Sequence, residues 1–135
     1  LQRLRDAVAA YPDDASLWRT AGAISNPGGT LCLHLCGNLR HFIGHTLGGQ
    51  AYVRDREHEF SARGLPRAEL LAEVDRMRME VLGTLAALEP TALAHTFPQH
   101  LMDREWRTDE LLMHLHGHLN YHLGQLDYHR RILCG

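Results

Sequence analysis

The stretch Leu111–Leu133, LLMHLHGHLNYHLGQLDYHRRIL, decides the fold of this chain and carries five of its eleven histidines. Its apolar residues recur every three or four positions, the period of a helix packed along one side. His114, His118, His122, Gln125 and His129 share one narrow polar sector with Leu111, and Leu112, Leu115, Leu119, Leu123 and Leu126 spread from it on one flank. His116 points nearly opposite, toward solvent. A row of imidazoles bordering a packing face suggests metal ligands, and a complete site needs a further ligand from elsewhere.

That ligand has a source in TLCLHLCGNLRHFIGHTLGG, residues 30–49. A helix is expected from Pro27 to Leu47, with Ser25-Asn26 before its proline and Gly48-Gly49 as its stop. His34, Asn38, His41 and His45 fall on one face of it, flanked by Leu31, Leu35 and Phe42. Facing edges of the two helices would combine one ligand from the second with an i, i+4 histidine pair from the last. A single histidine on an apolar edge is ordinarily a hydrogen-bonded core residue, and that reading applies to His41, His45 or His129 alone. Cys32 and Cys36 lie opposite His34 and read as small buried residues. Glycine costs about 1 kcal/mol inside a helix. Gly37, Gly44, Gly117 and Gly124 therefore suggest close helix approach or room for a ligand.

The remaining segments read as helices and loops. Leu1 to Tyr11 is a first helix, truncated at its start and ended by Pro12-Asp13-Asp14. Gln50 to Leu65 is a charged connection, in which Glu57 and Glu59 either reach the site as a base, pair with Arg130 and Arg131, or stay solvated. A third helix runs from Pro66 to Pro90 with a seam of Leu70, Val74, Met77, Val81, Leu85 and Leu88. Residues 91–107 form either an irregular loop or a short β-hairpin, and Thr108 caps the last helix. His58, His95 and His100 are surface residues. At 135 residues the chain reads as one all-α domain, a four-helix bundle.

Composition removes several chemistries. All 14 basic residues are arginine, which excludes a lysine Schiff base and a lysine-bearing phosphate loop, and the basic residues are dispersed on a chain of net charge −2. No nucleic-acid partner and no membrane span are expected. Three cysteines make no disulfide framework, and a cytoplasmic location fits. Neither Glu-x-x-His pairs nor Cys-x-x-Cys occurs, so a mononuclear histidine site is the framework left.

The tail HGHLNYHLGQLDYHRR resembles the C-terminal signature of the DinB-like superfamily of four-helix bundles, which includes YfiT-type metal-dependent hydrolases. HLCGNL and RDREHEF, in that order, resemble an uncharacterised bacterial branch of it, and the likeness runs from about Asn26 to Arg131. The resemblance implies a divalent metal, zinc or nickel, held by His34, His118 and His122. His114 and His41 are the rival ligands, and Asn38, Tyr121 and Gln125 are candidates for aiming the imidazoles or meeting substrate. It further implies a small-molecule substrate and either hydrolysis or transfer of a low-molecular-weight thiol such as bacillithiol or mycothiol. A homodimer is expected. The alternatives are a non-catalytic metal- or ligand-binding bundle and a structural module that dimerises through its glycine faces.

Overall fold

A computed structural model describes residues 1–135 and is all-α. Five α-helices occur in the order α1 (Gln2–Ala9), α2 (Gly28–Leu39), α3 (Arg56–Ser61), α4 (Arg67–Ala87) and α5 (Thr108–Cys134), and α2 continues through a π-helical segment, Arg40–Leu47. Single 3₁₀ turns occupy Ala15–Trp18 and Pro90–Ala94. The first helix packs on α4 and α5, while α2 packs on α3, α4 and α5.

The centre of the molecule is α2, since every residue from Gly28 to Leu39 is buried. Apart from His34 and Asn38, its sequence, GGTLCLHLCGNL, is apolar or small around the whole circumference, as expected of a helix enclosed on all sides. Gly28 and Gly29 permit this enclosure: a Cβ at Gly28 would stand 2.4 Å from the Tyr11 hydroxyl, and one at Gly29 would strike the Trp18 ring. Cys32 and Cys36 are buried free thiols.

The π-helical segment changes the register of the helix beyond Leu39. Arg40 turns toward α4, where its guanidinium bonds Glu80 at 2.8 Å through two nitrogens and Glu73 at 3.1 Å, under the Tyr52 ring. His41 stacks on His45 and bonds Gln99 at 3.1 Å. The His45 Nδ1–H donates to the Gln50 carbonyl. Neither residue joins His34, so the single continuous histidine face expected for this helix does not form.

The connection expected at Gln50–Leu65 contains α3, capped where the Asp55 carboxylate accepts from the His58 amide at 2.8 Å. The α4 seam holds for Leu70, Val74, Met77 and Val81. Beyond them Leu85 is exposed, and Thr84 takes the inward position, its hydroxyl donating to the Glu80 carbonyl. Residues 95–108 form a hairpin-like turn with two isolated bridges, Thr96 with Arg107 and Leu101 with Arg104, and Met102 and Asp103 at its tip both have φ of 54°. Arg107, one residue earlier than expected, is the α5 cap, and Glu110 reaches back to its amide. The Thr108 hydroxyl instead donates to the His95 carbonyl.

Two polar ties close the bundle. The Tyr11 hydroxyl lies 2.8 Å from His129 Nδ1, and His129 Nε2–H donates to the Arg19 carbonyl at 2.9 Å. Arg67 donates to the Tyr11 carbonyl, joining the end of α1 to the start of α4. No helix is long and apolar enough to cross a membrane.

Candidate metal centre

The middle of α2 faces the middle of α5, and three imidazoles converge between them. His34 Nε2 and His122 Nε2 each stand 3.1 Å from His118 Nε2. His34, His118 and His122 are the one group of histidine, cysteine or carboxylate side chains whose ligand atoms lie close enough together, within 4.8 Å, to hold a metal ion. Four ligands at the 2.0–2.1 Å bond length of zinc to imidazole stand roughly 3.3 Å apart, close to these separations.

Hydrogen bonds on the outer nitrogens set the direction of two of the rings. His34 Nδ1 is 3.1 Å from Glu59 Oε2, and a carboxylate only accepts, so Nδ1 carries the proton and Nε2 points its lone pair inward. Gln125 presents its carbonyl oxygen to His122 Nδ1 at 2.6 Å, with the same result. His118 Nδ1 is buried and has no partner. With both neighbours turned lone-pair-first, a neutral His118 can satisfy at most one of its two Nε2 contacts with a proton. A cation among the three nitrogens removes the remaining repulsion, so the donor set fits a metal.

Electrostatics keep the rings available. Burial, reinforced by neighbouring His122, His34, His114 and Arg54, holds His118 down at about 4. Burial lowers His122 as well, against the opposing effect of its bond to Gln125. A neutral imidazole is the ligating form, so proton competition at these two is weak near neutrality.

Glu59 is the residue that sequence reasoning undervalues. It is 4% exposed, and its burial would raise its pKa, but bonds from Arg54 and His34 hold the carboxyl below the ordinary carboxylate range. Arg54 grips both oxygens, at 2.6 and 2.8 Å. Gly37 makes the space, since a Cβ there would stand 2.0 Å from Glu59 Oε1. Phe60 tilts over the His34 ring at 5.1 Å. The signal lies in the piece RDREHEF, but six residues of helix are too few for a periodicity to show. Arg130 and Arg131, the other partners considered for Glu57 and Glu59, pair with Asp127.

The other expected site residues separate. Gln125 touches a member of the cluster directly. The exposed Tyr121 ring lies 5.1 Å from that of His122. Asn38 is 8% exposed, with an unpartnered Oδ1. His114 packs against Trp106, 5.2 Å between rings, and His41 is turned to Gln99. His129 belongs to the Tyr11 tie. Gly117 and Gly124 are not points of close helix approach, because a Cβ at either would meet nothing within 4 Å.

The family model described as DinB superfamily matches residues 1–126, a span that includes all three histidines. The chain belongs to the DinB superfamily. No curated protein and no solved structure matches it. In this DinB-superfamily chain α2 supplies one histidine of the cluster and α5 supplies two.

Proposed function

We propose that this chain is a metal-dependent enzyme in which His34, His118 and His122 hold one divalent cation, zinc or nickel, and that it transfers a low-molecular-weight thiol to a small electrophile. The observation that carries the reading is the inward convergence of three Nε2 atoms, two of them fixed lone-pair-first by Glu59 and Gln125. A divalent cation bound by three neutral imidazoles supplies a Lewis acid with an open position, able to lower the pKa of a thiol or water that reaches it. Glu59 aims His34 and offsets part of the positive charge, as outer carboxylates do behind ligating histidines. Arg54 keeps that carboxylate ionised, and the buried faces of α2 and α5 exclude bulk water from one side.

Thiol transfer is preferred over hydrolysis for a specific reason. Both oxygens of Glu59, the buried carboxylate beside the cluster, are committed to Arg54 and His34, so it is not poised to take a proton from water. A thiol, acidic at about 8.5 even when free, gives up its proton to solvent more readily than water does, so its ionisation at a metal depends less on such a base.

The test begins with elemental analysis of protein purified without a histidine tag. Near-stoichiometric zinc or nickel is expected, with loss of binding in His118→Ala and thiol conjugation, assayed on a panel of electrophiles, lost with it. Absence of metal uptake on titration, or conjugation unchanged by that substitution, overturns the reading.

A further inference from the structure

The outward side of α5 carries an apolar stripe that no other part of this chain covers. The inward side is set by Leu115, Leu119, Leu123 and Leu126, all buried. Roughly half a turn away, at about 100° per residue, lie Met113, Gly117, Tyr121, Gly124 and Tyr128, spaced by three or four positions. Met113 is 71% exposed, Tyr121 65% and Tyr128 66%, so the large apolar groups of the stripe face solvent. A Cβ at Gly117 or Gly124 would meet nothing within 4 Å, and the room these glycines leave is therefore used by no element of the chain. Each glycine costs a helix about 1 kcal/mol. On a solvated surface nothing offsets that, whereas against a second helix it permits close approach between two rows of larger side chains.

Opposite charges bound the stripe. Glu110 stands seven residues before Gly117, and Arg131 seven residues after Gly124, so the seam reads Glu, Gly, Gly, Arg at equal steps. Reversing its direction brings unlike ends together. Where a second α5 runs antiparallel with its Gly124 against Gly117, Glu110 falls opposite the partner's Arg131 and Met113 opposite the partner's Tyr128. Tyr121 then lies at the two-fold axis, beside its own copy. One register satisfies the glycines, the charges and the apolar side chains together, the self-complementarity that an isologous interface requires. Within the chain Glu110 bonds Arg104 and the Arg107 amide, both through Oε2, and Arg131 Nε lies 3.1 Å from Asp127. Both side chains are at least half exposed, which leaves the second oxygen of one and the terminal nitrogens of the other for a partner.

We infer that this face of α5 is the interface of a homodimer, two α5 helices packed antiparallel across a two-fold axis at Tyr121. The inference is independent of the metal centre. The Tyr121 ring also lies 5.1 Å from that of His122, so the interface adjoins the histidine cluster of each copy.

Sedimentation equilibrium of the purified chain tests it. A dimer that dissociates in the micromolar range is expected, because a single helix pair is a small interface. Gly117→Gln combined with Gly124→Gln raises helix propensity in the monomer but fills the seam. That variant should melt no lower than wild type at low concentration and yet fail to dimerise. Arg131→Glu sets like charges at both ends of the seam and should weaken association about tenfold. Adding Glu110→Arg restores unlike charges in the same register, and association should recover. A chain that stays monomeric at the highest concentration reached overturns the inference, as does a dimer that survives the paired glutamine substitutions. A loss in Arg131→Glu that Glu110→Arg fails to repair overturns the register.

Discussion

Glu59 acts on the site through a single hydrogen bond to the outer nitrogen of His34. Outer carboxylates typically contribute about 10–100-fold in metal affinity. Glu59→Gln should therefore weaken zinc binding by about that factor in competition with a chromophoric chelator, with helicity by circular dichroism unchanged; an unaltered dissociation constant would show that the carboxylate only packs. His118 gives a second prediction, for metal-free protein. Its pKa is held at about 4 in the fold, against about 6.5 in the unfolded chain. The unfolded chain thus binds the extra proton between these values, and stability falls as pH drops from about 6.5 toward 4. Allowing for solvent screening at this half-buried ring, the loss is on the order of 1–2 kcal/mol. Urea midpoints at pH 7 and 4.5 should show it, and His118→Gln should flatten the decline; an equally steep fall in that variant would discount His118. The three converging histidines were legible because the tail motif and HLCGNL mark them. The roles of Glu59 and Arg54 were not, because an outer-sphere contact between residues 25 apart leaves no local spacing to read.

At the scale of elements, two glycines that look alike in sequence differ in consequence. Gly37 faces Glu59 Oε1, and that oxygen is tied to Arg54, so Gly37→Ala forces a buried ion pair to move. A loss of about 1–3 kcal/mol is expected, the usual range for overpacking. Gly117 meets open space, and Gly117→Ala should stabilise the helix by up to about 1 kcal/mol. Thermal melts of the two variants check the pair, and a shift of the same sign in both would contradict the geometry. Long helices such as α4 and α5 were readable from apolar period alone. What escaped was short or register-changing. The six-residue α3 is fixed by an Asp55 cap and a tertiary contact, and the π-helical turn at Arg40–Leu47 is set by where Arg40 finds Glu73 and Glu80. Within that turn His41 bonds Gln99 and His45 bonds the Gln50 carbonyl, so neither continues the histidine face expected of a regular helix.

For the whole molecule, the two ends of the chain are joined by Tyr11 and His129. Tyr11→Phe removes this buried hydrogen bond and leaves His129 Nδ1 unpaired, so global stability should fall by about 1–3 kcal/mol in chemical denaturation; a midpoint within error of wild type would show that the tie is incidental. The all-α architecture was visible in the sequence, while the centrality of α2 was less so, since burial around a full circumference gives no amphipathic stripe. The separation of the histidines along the chain has a consequence in time. His34 and His118 are 84 residues apart. At a synthesis rate of about 5–20 residues per second, the first leaves the ribosome several seconds before the other two. Any nascent chain ending before residue 118, and any copy clipped within α5 ahead of that point, carries only one of the three proposed ligands. On this reading, tight metal capture waits until α5 has emerged past His122, and a shorter fragment has a single imidazole to offer a cation.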